Sequence, residues 1–145
     1  MAKGLLRRSL RLGAAVGAAV GAAEGFFMGA LTATLAGAVI GAGLGALAGL
    51  VTGPVVAAFV ARLGGATGGV STGAYTGMIG GAVLGMLAGL AAVAPARSSE
   101  LVRQTVFLNA LAQDYFQASM LVGFLCSVLG TSAGAVVGGV NKRAG

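Results

Sequence analysis

Apolar residues run along this chain in long blocks, and the polar positions between them are few and clustered. From Leu12 to Ala61 the one charged side chain is Glu24. A second block, residues 69–94, carries no charge, and neither does a third, residues 118–140. Polar and charged positions gather in 1–11, at Arg62 and in 96–117. An apolar run of about 20 residues is long enough to cross the roughly 30 Å hydrocarbon core of a bilayer as a helix. The first block is too long for one crossing, because a helix of roughly 50 residues would measure about 75 Å. It must fold back on itself.

Glycine spacing locates the fold-back. Gly13, Gly17, Gly21, Gly25 and Gly29 recur every fourth residue, and Gly37, Gly41, Gly45, Gly49 and Gly53 continue the register. The missing rung is Ala33, flanked by Thr32 and Thr34, so a tight turn is expected near 31–36. A second ladder runs through Gly65, Gly69, Gly73, Gly77, Gly81, Gly85 and Gly89, and a third through Gly130, Gly134 and Gly138. These positions are the expected helix-packing surfaces. The blocks predict four spans at about 12–31, 36–61, 69–94 and 118–140. A basic tail at 1–11 precedes them, and an amphipathic interfacial helix at 98–117 precedes the last span. The fold class is therefore all-α, a polytopic transmembrane bundle in a single membrane domain. In ideal helical geometry each rung of a four-residue ladder drifts by about 40°. A ladder as long as Gly65–Gly89 would then need two or more close neighbours.

Composition sharpens this picture. Hydrophobic residues make up 57% of the 145 residues and charged residues 8%, where a soluble domain carries roughly 25% charge. Too little charge remains to solvate a surface, and disorder needs the opposite balance. The 28 glycines follow no three-residue period, which excludes collagen. In water an interior glycine costs a helix about 1 kcal/mol against alanine. In lipid the backbone must bond internally, so the helix persists and glycine lets two backbones approach closely. The stretches 41–50 and 81–90 match at eight of ten positions, the mark of a possible internal repeat with spans 2 and 3 as oppositely oriented copies.

The net charge of +6 comes from basic residues flanking the apolar blocks: Lys3, Arg7, Arg8, Arg11, Arg62, Lys142 and Arg143, with Arg97 and Arg103 in the polar connection. Positive residues favour the cytoplasmic side, so both termini are expected inside. The segment Gly21-Ala22-Ala23 before Glu24 also resembles a signal cleavage site; a basic tail entering a first span is the preferred reading. The basic residues form no cluster interleaved with aromatics, so nucleic acid is not expected as a primary partner. Attraction to anionic lipid accounts for them.

The catalytic inventory is nearly empty. The chain has no His, no Trp, one cysteine (Cys126) and three acids: Glu24, Glu100 and Asp114. Nothing clusters as a metal site requires. No catalytic residue, metal site or cofactor is expected, and the chain is not expected to be an enzyme. Glu24 is the sharpest candidate for chemistry, as an intramembrane ionisable site. A carboxylate at that depth costs at least about 2.5–3.5 kcal/mol and is a functional hypothesis by default. Its bland alternative is an interfacial position or a buried interhelical hydrogen bond.

The three ladders resemble those of glycine-zipper integral membrane proteins, a broad class that shares a packing device. The resemblance implies close helix association, with lipid and either other membrane subunits or copies of the chain as partners. It points to no specific family. The longer signature of the small four-span mitochondrial translocase subunits is absent, as is the polar loop of the proton-ATPase proteolipids. The leading functional expectation is a structural or accessory subunit of a larger membrane assembly, associating through its glycine ladders. The alternatives are a self-assembling pore or lesion former, of the holin, phage-ejection or virion membrane protein kind, and an ion-coupled element using Glu24.

Overall fold

The computed structural model describes residues 3–31, 33–64, 66–98 and 114–143. They form an all-α bundle of four helices: α1 (Lys3–Ala30), α2 (Leu35–Arg62), α3 (Val70–Ser98) and α4 (Tyr115–Arg143). Each has 28 or 29 residues, or about 42 Å of helix. All four are long and apolar enough to cross a membrane. The protein is a membrane protein built as a bundle of transmembrane helices.

The helices reach beyond the charge-free blocks. The expected tail is already helical, because α1 begins at Lys3. The expected third span ends at 94, just before Pro95, yet α3 continues through that proline to Ser98. Proline lacks an N–H donor and its ring crowds the carbonyl four residues back, but in lipid the remaining backbone bonds hold the helix through it. Pro54 is likewise accommodated inside α2. Residues 115–117, assigned above to an interfacial helix, form the first turn of α4. Asp114 caps that turn, its Oδ1 accepting from the backbone N–H of Phe116 at 2.8 Å and of Gln117 at 3.3 Å. Ser98 ends α3, and residues 99–113 of the proposed interfacial helix lie outside the described residues.

The turn between α1 and α2 falls where the rung is missing. Ala33 takes a left-handed conformation, φ 56°. Thr34 then caps α2, its hydroxyl accepting from the Gly37 N–H at 3.0 Å. The α2–α3 connection turns at Gly64 (φ 77°) and Gly69 (φ 95°), with Ala66 fully buried between them.

Packing is dominated by two antiparallel hairpins, α1 on α2 and α3 on α4. The hairpins meet through α1–α4, α2–α4 and α2–α3 contacts. Where they meet, Val56, Ala57, Val60 and Ala61 of α2 join Ala66, Leu129 and Val137 in one buried cluster, with Leu6, Leu12, Val20 and Leu84 packed against it. This core lies at the end that holds the start of α1 and the ends of α2 and α4. Three observations place it there. The Asn141 amide donates to the Ser9 hydroxyl, Gly69 abuts Lys142, and Leu10 and Arg62 share one groove. Arg7, Arg8, Arg11, Arg62, Lys142 and Arg143 therefore sit at one end of the bundle, and Ala33, Thr34 and Asp114 at the other.

The expectation of several neighbours for the second ladder is corrected. Its described helical rungs, Gly73 to Gly89, all face α4. A straight partner could not follow a drifting ladder, but two helices that wind about each other can. The 41–50 and 81–90 stretches lie on α2 and α3, which run in opposite directions in different hairpins.

Candidate functional site

The glycines singled out by spacing fall on two interhelical seams, and the carboxyl of Glu24 lies beside the first. In the first hairpin every rung meets a rung. Gly13 faces Gly53, Gly17 faces Gly49, Gly21 faces Gly45, Gly25 faces Gly41 and Gly29 faces Gly37. The contact at each is backbone to backbone. A methyl group on Gly45 would overlap the Gly21 carbonyl oxygen and stand 2.9 Å from the Gly25 Cα. A methyl on Gly13 would stand 2.5 Å from both the Gly53 carbonyl oxygen and the Ala57 Cβ. No side chain larger than hydrogen fits while the helices keep this separation. The close approach permits dispersion contacts and Cα–H···O contacts along the whole seam.

The second seam is less uniform. Gly73 faces Gly134, with the Gly138 Cα beside it, and Gly77 faces Gly130. Beyond them α4 offers larger residues. Gly81 meets the Cys126 carbonyl; a methyl on Gly85 would lie 2.6 Å from both the Val122 carbonyl oxygen and the Cys126 Cβ; a methyl on Gly89 would lie 2.9 Å from the Ala118 carbonyl oxygen. The seam loosens from the basic end toward the far end. Ser119 supplies a directional tie there, its hydroxyl donating to the Met86 carbonyl at 3.1 Å. Gly69 lies ahead of α3 in a left-handed conformation rather than on the seam. Gly65 lies outside the described residues, as does Thr32.

Glu24 lies about three-quarters of the way along α1, six residues before its end at Ala30, next to the Gly25 rung and half-buried. One carboxyl oxygen, Oε1, is enclosed and accepts no hydrogen bond among the described residues. Phe26 and Phe27 follow, their rings edge to face at 6.1 Å between centroids. Among the described residues no group of His, Cys, Asp or Glu could hold a metal ion.

The pattern of hydroxyl bonding also bears on chemistry. Thr52 donates to the Ala48 carbonyl, Thr76 to Thr72, Thr131 to Ser127 and Ser132 to Val128. Each bond stays within one helix, four residues back. A hydroxyl used this way is internally satisfied, as helices in lipid require.

Sequence reasoning did not single out the polar pair that ties the hairpins. Ser9 is fully buried, Asn141 is 5% exposed, and the Asn141 Nδ2 donates to the Ser9 Oγ at 3.0 Å. The Asn141 Oδ1 is buried with no partner among the described residues. Small polar residues near the ends of apolar helices were the available signal, but 132 positions separate the two. Gly80 was also missed; it receives the Phe59 ring from α2. Comparison of the chain with known family models, curated proteins and solved structures gives no match.

Proposed function

We propose that the chain is a structural or accessory subunit of a larger membrane assembly, a compact helical module with a non-catalytic role. The observation that carries this reading is the inward use of its packing and polar groups. Two hairpins close on their own glycine rungs, the hydroxyls of Thr52, Thr76, Thr131 and Ser132 bond within their own helices, and that of Ser119 bonds to the hairpin partner. A water-filled pathway needs polar groups free to face it; these groups are spent on the fold. The seams support a place in the broad class of glycine-zipper membrane proteins. Because those rungs meet within the chain, association with other subunits would use the outer apolar faces.

Gathering of the basic residues at one end supports an orientation with both termini on the cytoplasmic side. A cysteine placed at position 143, in a Cys126→Ala background, should then react with an impermeant maleimide in inverted vesicles and not in right-side-out ones.

The decisive experiment is native mass spectrometry of the protein extracted gently from its own membrane. The proposal expects a fixed ratio with other polypeptides. A ring of identical copies alone would overturn it in favour of a self-assembling pore. The enclosed, unbonded Oε1 of Glu24 favours one second reading, an ion-coupled element in which that oxygen accepts a proton or cation. Proteoliposomes bearing Glu24→Gln should then lose ion flux, and unchanged flux would remove that reading.

A further inference from the structure

The basic end of the bundle carries a lateral groove that neither the packing seams nor Glu24 uses. Its volume is about 390 Å³, within the range of roughly 300–1,000 Å³ typical of small-molecule sites. Three helices line it. Leu10 comes from α1, Leu84 from α3, and Pro54, Ala58 and Phe59 from α2, with Arg62 in the last turn of α2. From Pro54 to Arg62 it follows α2 for about 12 Å, running from the charged end toward the middle of the bilayer. Phe59 is held in place because its ring lies on Gly80, where even a methyl group would stand 2.5 Å from Cδ1. The apolar wall is thus built by interhelical packing, and it begins beside an exposed guanidinium.

Charge settles what such a groove suits. Arg7, Arg8, Arg11, Lys142 and Arg143 share this end with Arg62, and the acids among the described residues, Glu24 and Asp114, lie elsewhere. A guanidinium beside the headgroup region is matched by a phosphate, which it can hold through two parallel hydrogen bonds. Basic pockets between transmembrane helices are suited to anionic headgroups for the same reason.

We propose that this groove is a binding site for one anionic phospholipid, with an acyl chain along Leu10, Pro54, Ala58, Phe59 and Leu84 and the phosphate on Arg62. The site is independent of the subunit role proposed above, since it needs only the single chain in a bilayer. One bound lipid would fill the gap between the two hairpins on the side of α2 and fasten α1 to α3.

The test is native mass spectrometry of the purified full chain titrated with phosphatidylglycerol or with phosphatidylcholine of the same acyl chains. The wild type should retain one phosphatidylglycerol at least about fivefold more tightly than phosphatidylcholine, the selectivity expected of one interfacial arginine. Arg62→Gln should abolish that selectivity, whereas Arg143→Gln, at the same end but outside the groove, should preserve it. Ala58→Phe should weaken retention of both lipids by filling the groove. Equal retention of the two lipids by the wild type would overturn the proposal. So would equal losses from Arg62→Gln and Arg143→Gln, which would mean diffuse attraction. Competition by free glycerol phosphate at millimolar concentration would show that the acyl groove is not part of the site. Arg62 is exposed, so its substitution tests the site even if Ala58→Phe does not fold.

Discussion

Gly43 and Gly45 stand two residues apart in α2 and differ in one structural respect. A methyl group on Gly45 overlaps the Gly21 carbonyl oxygen and stands 2.9 Å from the Gly25 Cα, whereas a methyl on Gly43 meets nothing within 4 Å. Carbon atoms pack best at about 3.5–4.0 Å, so Gly45→Ala requires α1 and α2 to separate by about 1 Å. A gap of about 0.5–1 Å already forfeits a quarter to a half of each dispersion contact. The neighbouring rungs, Gly17–Gly49 and Gly25–Gly41, share that loss because the helices are stiff. Overpacking of this kind costs about 1–3 kcal/mol. Gly43→Ala has no such penalty and gains helix propensity, up to about 1 kcal/mol in water and less in lipid.

The lone cysteine supplies the assay. Cys126 is half-buried on α4, on the seam with α3, so a thiol-reactive fluorophore reports thermal opening of the bundle in detergent. At about 2–4 °C per kcal/mol for a chain of this size, Gly45→Ala should lower the midpoint by about 2–12 °C and Gly43→Ala should leave it unchanged or raised. The double variant Gly21→Ala/Gly45→Ala should cost less than the two single costs combined, because one separation relieves both clashes. Equal midpoints for Gly43→Ala and Gly45→Ala would falsify the close-packed seam.

Three further outcomes follow from the same geometry. Ala33→Gly should stabilise the protein by about 1 kcal/mol, since a left-handed conformation costs a residue with a Cβ about 1–2 kcal/mol; a lowered thermal midpoint would contradict the turn at Ala33. Ser9→Ala and Asn141→Ala should each destabilise the bundle, and a double-mutant cycle should return a coupling of about 0.6–1.7 kcal/mol, the range for hydrogen bonds between membrane helices; a coupling of zero would mean the hairpins dock without that bond. Gly85→Leu should reduce the yield of folded protein far more than Leu44→Ala, because Leu44 is 62% exposed while Gly85 abuts Val122 and Cys126; equal yields would count against the α3–α4 seam.

Much of the fold is legible along the chain because the membrane makes local rules strict. An apolar block must be helical in lipid, its length fixes how often it crosses, and a break in a regular ladder marks where it turns. Ala33 shows how far this reaches. The rungs on either side stand at equal distances from it, so a hairpin closing there sets Gly13 against Gly53 and Gly29 against Gly37 without adjustment. Helix ends are less legible: charge marks where a helix meets the interface, and α1 and α4 extend past that boundary into their charged turns.

What the chain could not declare is how one hairpin meets the other. The two ladders around Ala33 pair locally, so spacing suffices. The α3–α4 seam pairs glycines with Cys126, Val122 and Ala118 as well, and no periodicity marks those residues as partners. Ser9 meets Asn141, Phe59 settles on Gly80, and Leu10, Arg62 and Leu84 converge on one groove only because two rigid hairpins dock at their basic ends. The sequence by itself determined the helices, their crossings and the first turn, since backbone hydrogen bonding in lipid leaves few alternatives. Only the tertiary structure decided which faces the seams consume and which remain for lipid or a partner, because that depends on side-chain shapes meeting across distances no local rule spans.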